Sequence, residues 1–171
     1  MNKLIRIDER LIHGQVAYLW TKHLNLDRIL VANNSVANNE IQKTSLIMAA
    51  GDRVKASIVE VKDAVNILND ERINNLKVLV LVNNPEDALY ICENAANIPK
   101  VNVGNYGRVS GKIKEKKTIT ENLYVEENDI NLFKKIIDLK IPLEYQLVPD
   151  NTPLDLKNKF WILLDKKGGR K

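Results

Sequence analysis

Cysteine is all but missing from this 171-residue chain: Cys92 stands alone, so no internal disulfide can staple the fold. That suits a reducing compartment. Aromatic residues make up 5%, and no tight basic block is interleaved with them. The stacking platform and charged groove of a nucleic-acid binder are therefore absent, and no nucleic-acid partner is expected. Uninterrupted apolar runs stay about as short as residues 78–82, far below the roughly 20 residues of a spanning helix. The chain opens on a strand pattern rather than on a charged segment and a long apolar one, so no secretory leader is expected. Neither histidine, His13 or His23, has metal-ligand spacing or a cysteine partner. No lysine-containing phosphate loop occurs, which argues against direct nucleotide use. No metal and no cofactor are expected.

What remains has an ordinary globular composition, 44% hydrophobic and 28% charged, with a formal net charge of +4. The length suits one domain with a proper core, expected over 1–165, followed by a frayed tail over 166–171. No repeat, low-complexity block or linker interrupts it.

Strand and helix patterns alternate. Strands are expected over 4–7, 28–32, 56–61, 77–82, 101–103 and 143–148, the fourth apolar enough for the buried centre of a parallel sheet. Helices are expected over 14–24, 40–50, 62–69, 85–96 and 128–139. The first places Val16, Leu19, Trp20 and His23 at helical spacing. The second should bury Ile41, Leu46, Ile47 and Ala50 and end at Gly51. Pro85 suits a first helical turn, and Asn128 or Asp129 suits a cap. Residues 33–39 read as a polar loop, 104–111 as a glycine-containing loop, 117–125 as an edge strand or hairpin, and 160–164 as a final packing segment. The expected fold class is α/β: an open, twisted, mostly parallel β-sheet flanked by helices on both faces, with an antiparallel edge element. Ligands of such sheets bind outside the carboxyl ends of the strands. Of the loops there, only 8–13 concentrates chemistry.

That loop lies within Arg6-Ile7-Asp8-Glu9-Arg10-Leu11-Ile12-His13-Gly14-Gln15-Val16. It leaves a strand and enters a helix, whose first free N–H groups and positive dipole end point at whatever sits there. Gly14 lets backbone approach closely. Arg6 and Arg10 each offer a forked set of donors to phosphate oxygens, and Gln15 can place an amide nearby or face solvent. His13, among these groups, could accept a phosphoryl group as a covalent nucleophile. Acceptance needs one free ring lone pair and a partner for the other nitrogen, which Asp8 or a backbone carbonyl could supply. Bland alternatives stand beside each role. Arg10 could pair with Glu9 on the surface, Arg6 could bridge to Asp8 or another strand, and Asp8 could be an ordinary turn residue. His23 reads as a helix-face residue and Trp20 as core. Gly104-Asn105-Tyr106-Gly107 reads as a turn lining the same crevice.

The run 6–16 resembles the active-site signature of the IIB components of sugar phosphotransferase systems, mannose/fructose/sorbose family. Trp20-Thr21-Lys22, Val36-Ala37-Asn38, Asn84-Pro85-Glu86-Asp87-Ala88, Asn102-Val103-Gly104-Asn105 and Gln146-Leu147-Val148-Pro149 look like its later landmarks in order and spacing. The resemblance implies a phosphoryl carrier. His13 would receive the group from phosphorylated IIA, on Nδ1 in the family, and pass it to a mannose-, fructose-, sorbose- or amino-sugar-class substrate during uptake by membrane IIC and IID subunits. It implies a cytoplasmic chain transiently at the membrane, and leaves a homodimer open. Departures occur at Asn33-Asn34, where an acid is expected, at Asn38-Asn39, where asparagine-aspartate is expected, and at Gly51-Asp52, where proline is common. Rival readings are a stand-alone hydrolase that forms phosphohistidine and a non-covalent anion-binding module.

Overall fold

A computed structural model describes residues 2–14, 16–109 and 111–168, without the side chains of 163–168. Seven strands form one sheet: β1 (Lys3–Ile7), β2 (Arg28–Ala32), β3 (Lys55–Val59), β4 (Val78–Val82), β5 (Val101–Val103), β8 (Leu143–Tyr145) and β9 (Leu154–Asp155). Their order is β3-β2-β4-β1-β5-β8-β9, every pairing parallel except β8 with β9. A separate antiparallel hairpin joins β6 (Lys117–Thr120) to β7 (Leu123–Val125). The antiparallel edge of the main sheet is thus β9, a strand too short to read from the sequence, and the expected hairpin stands apart from it.

β1 and β4 are buried at all five positions, as near-continuous apolar runs demand in a sheet covered on both faces. Side-chain alternation along β1 divides the core. Ile5 and Ile7 join the layer of α4 (Val61–Asn69), α5 (Pro85–Asn94), α6 (Glu127–Asp138) and α7 (Leu156–Gly168). Leu4 joins the opposite layer with Val16, Ala17, Trp20 and Ala50. Arg6 alternates with Leu4 onto this second face.

Three elements depart from expectation. The first helix opens as a π-helical stretch, Val16–Trp20, and only then becomes α1 (Thr21–Leu24). The wider turn changes the buried set to Val16, Ala17 and Trp20, leaving Leu19 half-buried and His23 exposed. The supposed loop 33–39 holds a short helix, α2 (Asn34–Ala37), because the Asn33 side chain accepts from Val36 N–H at its start. In α3 (Glu40–Ala50), Ala50 is buried and Leu46 packs in part, but Ile41 is 81% and Ile47 47% exposed. The helix covers edge strand β3, so only a narrow stripe has anything to pack on.

At the C-terminal end, α6 begins at Glu127, capped by Glu126, with Asp129 returning the bond to Glu126 N–H. Asp129 is therefore the inner partner of the cap, not the cap. Phe160 is buried and stacks on Phe133 at 5.1 Å, which docks α7, while Trp161 and Ile162 stay about half exposed. Of the tail expected over 166–171, residues 166–168 fall within α7 and 169–171 lie outside the described residues.

Candidate functional site

β1 lies between β4 and β5, and the chain moves outward through β2 on one side and through β8 on the other. Strand order therefore reverses at β1, and its carboxyl end opens the crevice where such sheets bind ligands. The loop leaving β1 is a tight turn. Asp8 N–H donates to Val82 O at 2.9 Å and Leu11 N–H closes back on Asp8 O at 2.9 Å. Leu11 has φ +53°, a left-handed conformation that a branched side chain adopts only under constraint. The constraint is burial: Leu11 and Ile12 sit 5% and 3% exposed in the second core layer. Packing these two side chains inward sends His13, between them and the helix, back toward the crevice. His13 O then accepts from Ala17 N–H at 2.9 Å, so the helix starts at His13.

Asp8 is fully buried and joins the loop together. Its Oδ1 accepts from Arg10 N–H at 3.2 Å and from Arg10 Nε at 3.5 Å. Its Oδ2 accepts from Arg6 Nη2 at 3.1 Å and lies 3.5 Å from His13 Nε2. That last contact is in ion-pair range but not aligned as a hydrogen bond, and Nε2 is shielded from solvent. Burial alone would raise the Asp8 carboxyl's pKa; His13, Arg6 and Arg10 outweigh it and bring it down to about 2. Asp8 is thus both alternatives at once, a turn residue and the group facing the histidine.

Arg6 is fully buried too. Its Nη1 donates to Asn102 Oδ1 and to Gln146 O at 2.8 Å, its Nη2 to Asp8 and to Leu147 O at 3.0 Å. The guanidinium lies 4.7 Å over the Trp20 ring, which places Trp20 in the core as expected. Burial pulls Arg6 below its usual range and Asp8 pulls it back up. Its forks are spent on the protein, so of the alternatives read for Arg6 the bridge to Asp8 is what the geometry presents. Gly104 makes room for this pair: a Cβ there would lie 2.1 Å from Arg6 Nη2 and 2.8 Å from Asp8 Oδ2. Arg6 also ties together two segments noted only as landmarks, at Asn102 and at Gln146.

Arg10 is the open cation of the loop, with its side chain 43% exposed. It does not pair with Glu9, whose carboxylate accepts instead from the backbone of Gly107, Arg108 and Val109. Gly14 is exposed, and a Cβ there would meet nothing within 4 Å, so no packing inside this fold demands glycine. Gln15 lies outside the described residues.

Of the departures at asparagine, Asn33 joins an amide chain along the neighbouring strand ends. Asn33 donates to Asn83 Oδ1 at 3.1 Å, and Asn84 donates to the same oxygen at 2.8 Å. Asn34 Oδ1 accepts from Val61 N–H. Among the described residues no group of acids, histidines and cysteine is clustered to hold a metal, and no helix is long and apolar enough to cross a membrane. Chemically, the loop presents one partly exposed imidazole and one partly exposed guanidinium that reach opposite oxygens of a single buried carboxylate. That arrangement could hold and pass a phosphoryl group.

The model of the sorbose-subfamily IIB component of the phosphotransferase system matches residues 2–169. A probable phosphotransferase enzyme IIB component from Streptococcus pyogenes is 35% identical over 154 residues, covering 89% of this chain and 94% of that protein. The mannose-specific EIIAB component of Escherichia coli is 36% identical over 153 residues, covering 90% of this chain but 46% of that longer protein. Among solved structures, the IIBSor domain of the sorbose permease from Klebsiella pneumoniae superposes with TM-score 0.84 at 29% identity, covering 95% of this chain and 98% of that one.

Proposed function

The chain belongs to the sorbose subfamily of phosphotransferase-system IIB components, and from that premise we propose that His13 is the residue on which it carries its phosphoryl group. It is a phosphoryl carrier in uptake of sugars of the mannose, sorbose and fructose class, and the family works with IIA and IIC/IID partners. The finer steps are our reading. Phosphorylated IIA donates to His13, and the sugar presented by IIC and IID accepts. The carrier is cytoplasmic, visits the membrane through those subunits, and the fold is one domain with its site on the loop after β1.

The observation that carries this reading is the orientation of the His13 ring. Its Nε2 is turned to the buried Asp8 carboxylate at 3.5 Å. A hydrogen on Nε2 leaves the lone pair on Nδ1, so Nδ1 is the nucleophile. The contact is long without a phosphoryl group, as such bonds often are before the reacting complex forms. In the first step the bond from phosphorus to the donor histidine breaks as the bond to Nδ1 forms. In the second, phosphorus leaves Nδ1 for a sugar hydroxyl oxygen, and the hydroxyl proton goes to the freed nitrogen or to water. Arg10, open beside the ring, neutralises charge on the moving group. Arg6 acts through Asp8 as a positioning residue, because the donors of both its Nη atoms are occupied and its Nε is buried. Gly14 stays in the reading as a phosphate contact at the helix start, where first-turn N–H groups lack a partner within the helix, and Gln15, outside the described residues, stays as a phosphate-binding residue on its residue type alone.

The test is intact-mass measurement after incubation with a phosphorylated IIA protein, with the phosphate mapped by peptide analysis. One phosphate on His13, discharged when sugar and the membrane subunits are added, is the expected result. Phosphate released to water without any sugar acceptor would support a hydrolase instead, and no covalent phosphate would support a binding module.

A further inference from the structure

Glu9 sits between Asp8 and Arg10, yet its side chain belongs to another loop. Its Oε2 accepts from Gly107 N–H at 3.0 Å, and its Oε1 from Arg108 N–H at 3.0 Å and Val109 N–H at 3.1 Å. Three successive backbone donors converging on one carboxylate form a nest, a concavity built for an anion. The nest is fixed from behind. Gly107 has φ +87°, and a Cβ there would lie 1.9 Å from Tyr124 O, so only glycine can stand at its start. Tyr106 N–H donates to Asn122 O and Tyr124 N–H to Tyr106 O, both at 2.9 Å, and Lys116 Nζ donates to Gly107 O at 3.0 Å. On the other side, Glu9 N–H donates to Asn105 O at 2.8 Å. Main chain and side chain of this one residue therefore bind the loop after β1 to the loop after β5.

The position has two consequences for the loop that carries Arg10 and His13. Asp8 holds the turn from beneath and Glu9 holds it from the side, while burial keeps Leu11 at φ +53°. With its carboxylate in the nest, Glu9 leaves Arg10 unpaired except for the 3.5 Å contact with Asp8. We propose that Glu9 is a positioning residue for phosphoryl transfer: seated in the nest of 107–109, it holds the turn that presents Arg10 and His13 and keeps its own charge away from Arg10. The proposal rests on His13 being the phosphoryl acceptor.

Glu9→Ala removes the anion and leaves the nest open to a small carboxylate. In single-turnover transfer from phosphorylated IIA at saturating donor, the variant should be slower by on the order of tenfold to a hundredfold, as for a displaced catalytic group. The donor concentration at half-saturation should change little. Added acetate should restore at least half of the lost rate. The amide resonances of Gly107, Arg108 and Val109 should move in the variant and return with acetate. Glu9→Gln, which keeps one acceptor oxygen and the volume, should lie between. Wild-type rates for Glu9→Ala, or a slow variant that acetate does not rescue, overturn the proposal. If His13 carries the phosphate and acetate fails, only the role of Glu9 falls. If the phosphate maps elsewhere in the wild type, the reading of His13 falls, and the amide shifts still decide whether Glu9 occupies the nest.

Discussion

The Cα of Gly104 faces the guanidinium of Arg6 so closely that a Cβ would lie 2.1 Å from Nη2 and 2.5 Å from Cζ. Both residues are buried, so neither side can swing into solvent to relieve the contact. Gly104→Ala should therefore displace the Arg6–Asp8 pair. We expect a loss of about 1–3 kcal/mol of stability, the usual cost of overpacking, together with slower phosphoryl acceptance. Urea unfolding with an unchanged slope and a lowered midpoint checks the first part, and single-turnover transfer the second. An unshifted midpoint would show that the pair tolerates the added methyl.

His13→Ala should abolish phosphoryl acceptance and leave the fold intact, because the ring is partly exposed and contributes no core packing. Circular dichroism and the urea midpoint should match wild type while intact mass shows no added phosphate. Mapping of a phosphate to His23, which is exposed and meets Trp20 only edge-on at 6.4 Å, would refute the assignment.

Arg10→Ala should slow transfer more than it weakens docking of IIA. Loss of one donor aimed at developing charge costs about 2.7–4 kcal/mol of barrier, or roughly 10²–10³ in rate. Arg10→Lys should recover part of that rate, since an ammonium lacks the forked geometry. Rates at saturating donor decide the matter: equal rates for wild type and Arg10→Ala would remove Arg10 from the chemistry.

The buried Asp8 makes stability depend on acid. Its carboxyl lies at about 2 in the fold against an ordinary 3.8. A group depressed in the native state adds stability that is fully present above its unfolded value and lost as pH falls through the folded one. Between about pH 4 and pH 2 the chain should therefore lose about 2 kcal/mol from this residue alone. Asp8→Asn should flatten that part of the profile. At neutral pH it should cost about 3–5 kcal/mol, because the Arg6 charge is left buried without its partner. Urea midpoints measured across this pH range test both statements.

Much of the site was legible in the chain. Arg6, Asp8, Arg10 and His13 crowd a strand-to-helix junction, and local chemistry alone suggests an anion site there. The alternating apolar runs likewise imply a covered, mostly parallel sheet, since a strand buried on both faces has to read as Val78–Val82 does. These are local or periodic properties, and each segment carries its own evidence for them.

Roles that depend on distant partners could not be read. Arg6 looks like a phosphate clamp until β5 and the end of β8 bring Asn102, Gln146 and Leu147 around it. Glu9 looks like the surface mate of Arg10 until the loop after β5 offers three N–H groups 98 to 100 positions away. The apolar side chains of α3 look like core until the helix is found over an edge strand. Sequence alone determined the longer strands and helices and where the chemistry gathers, but not the short α2 and β9, because propensity, periodicity and residue type need several positions to act. Only the tertiary structure decided which charges stay open and which are consumed inside, because a buried charge takes whichever partner the sheet order places beside it.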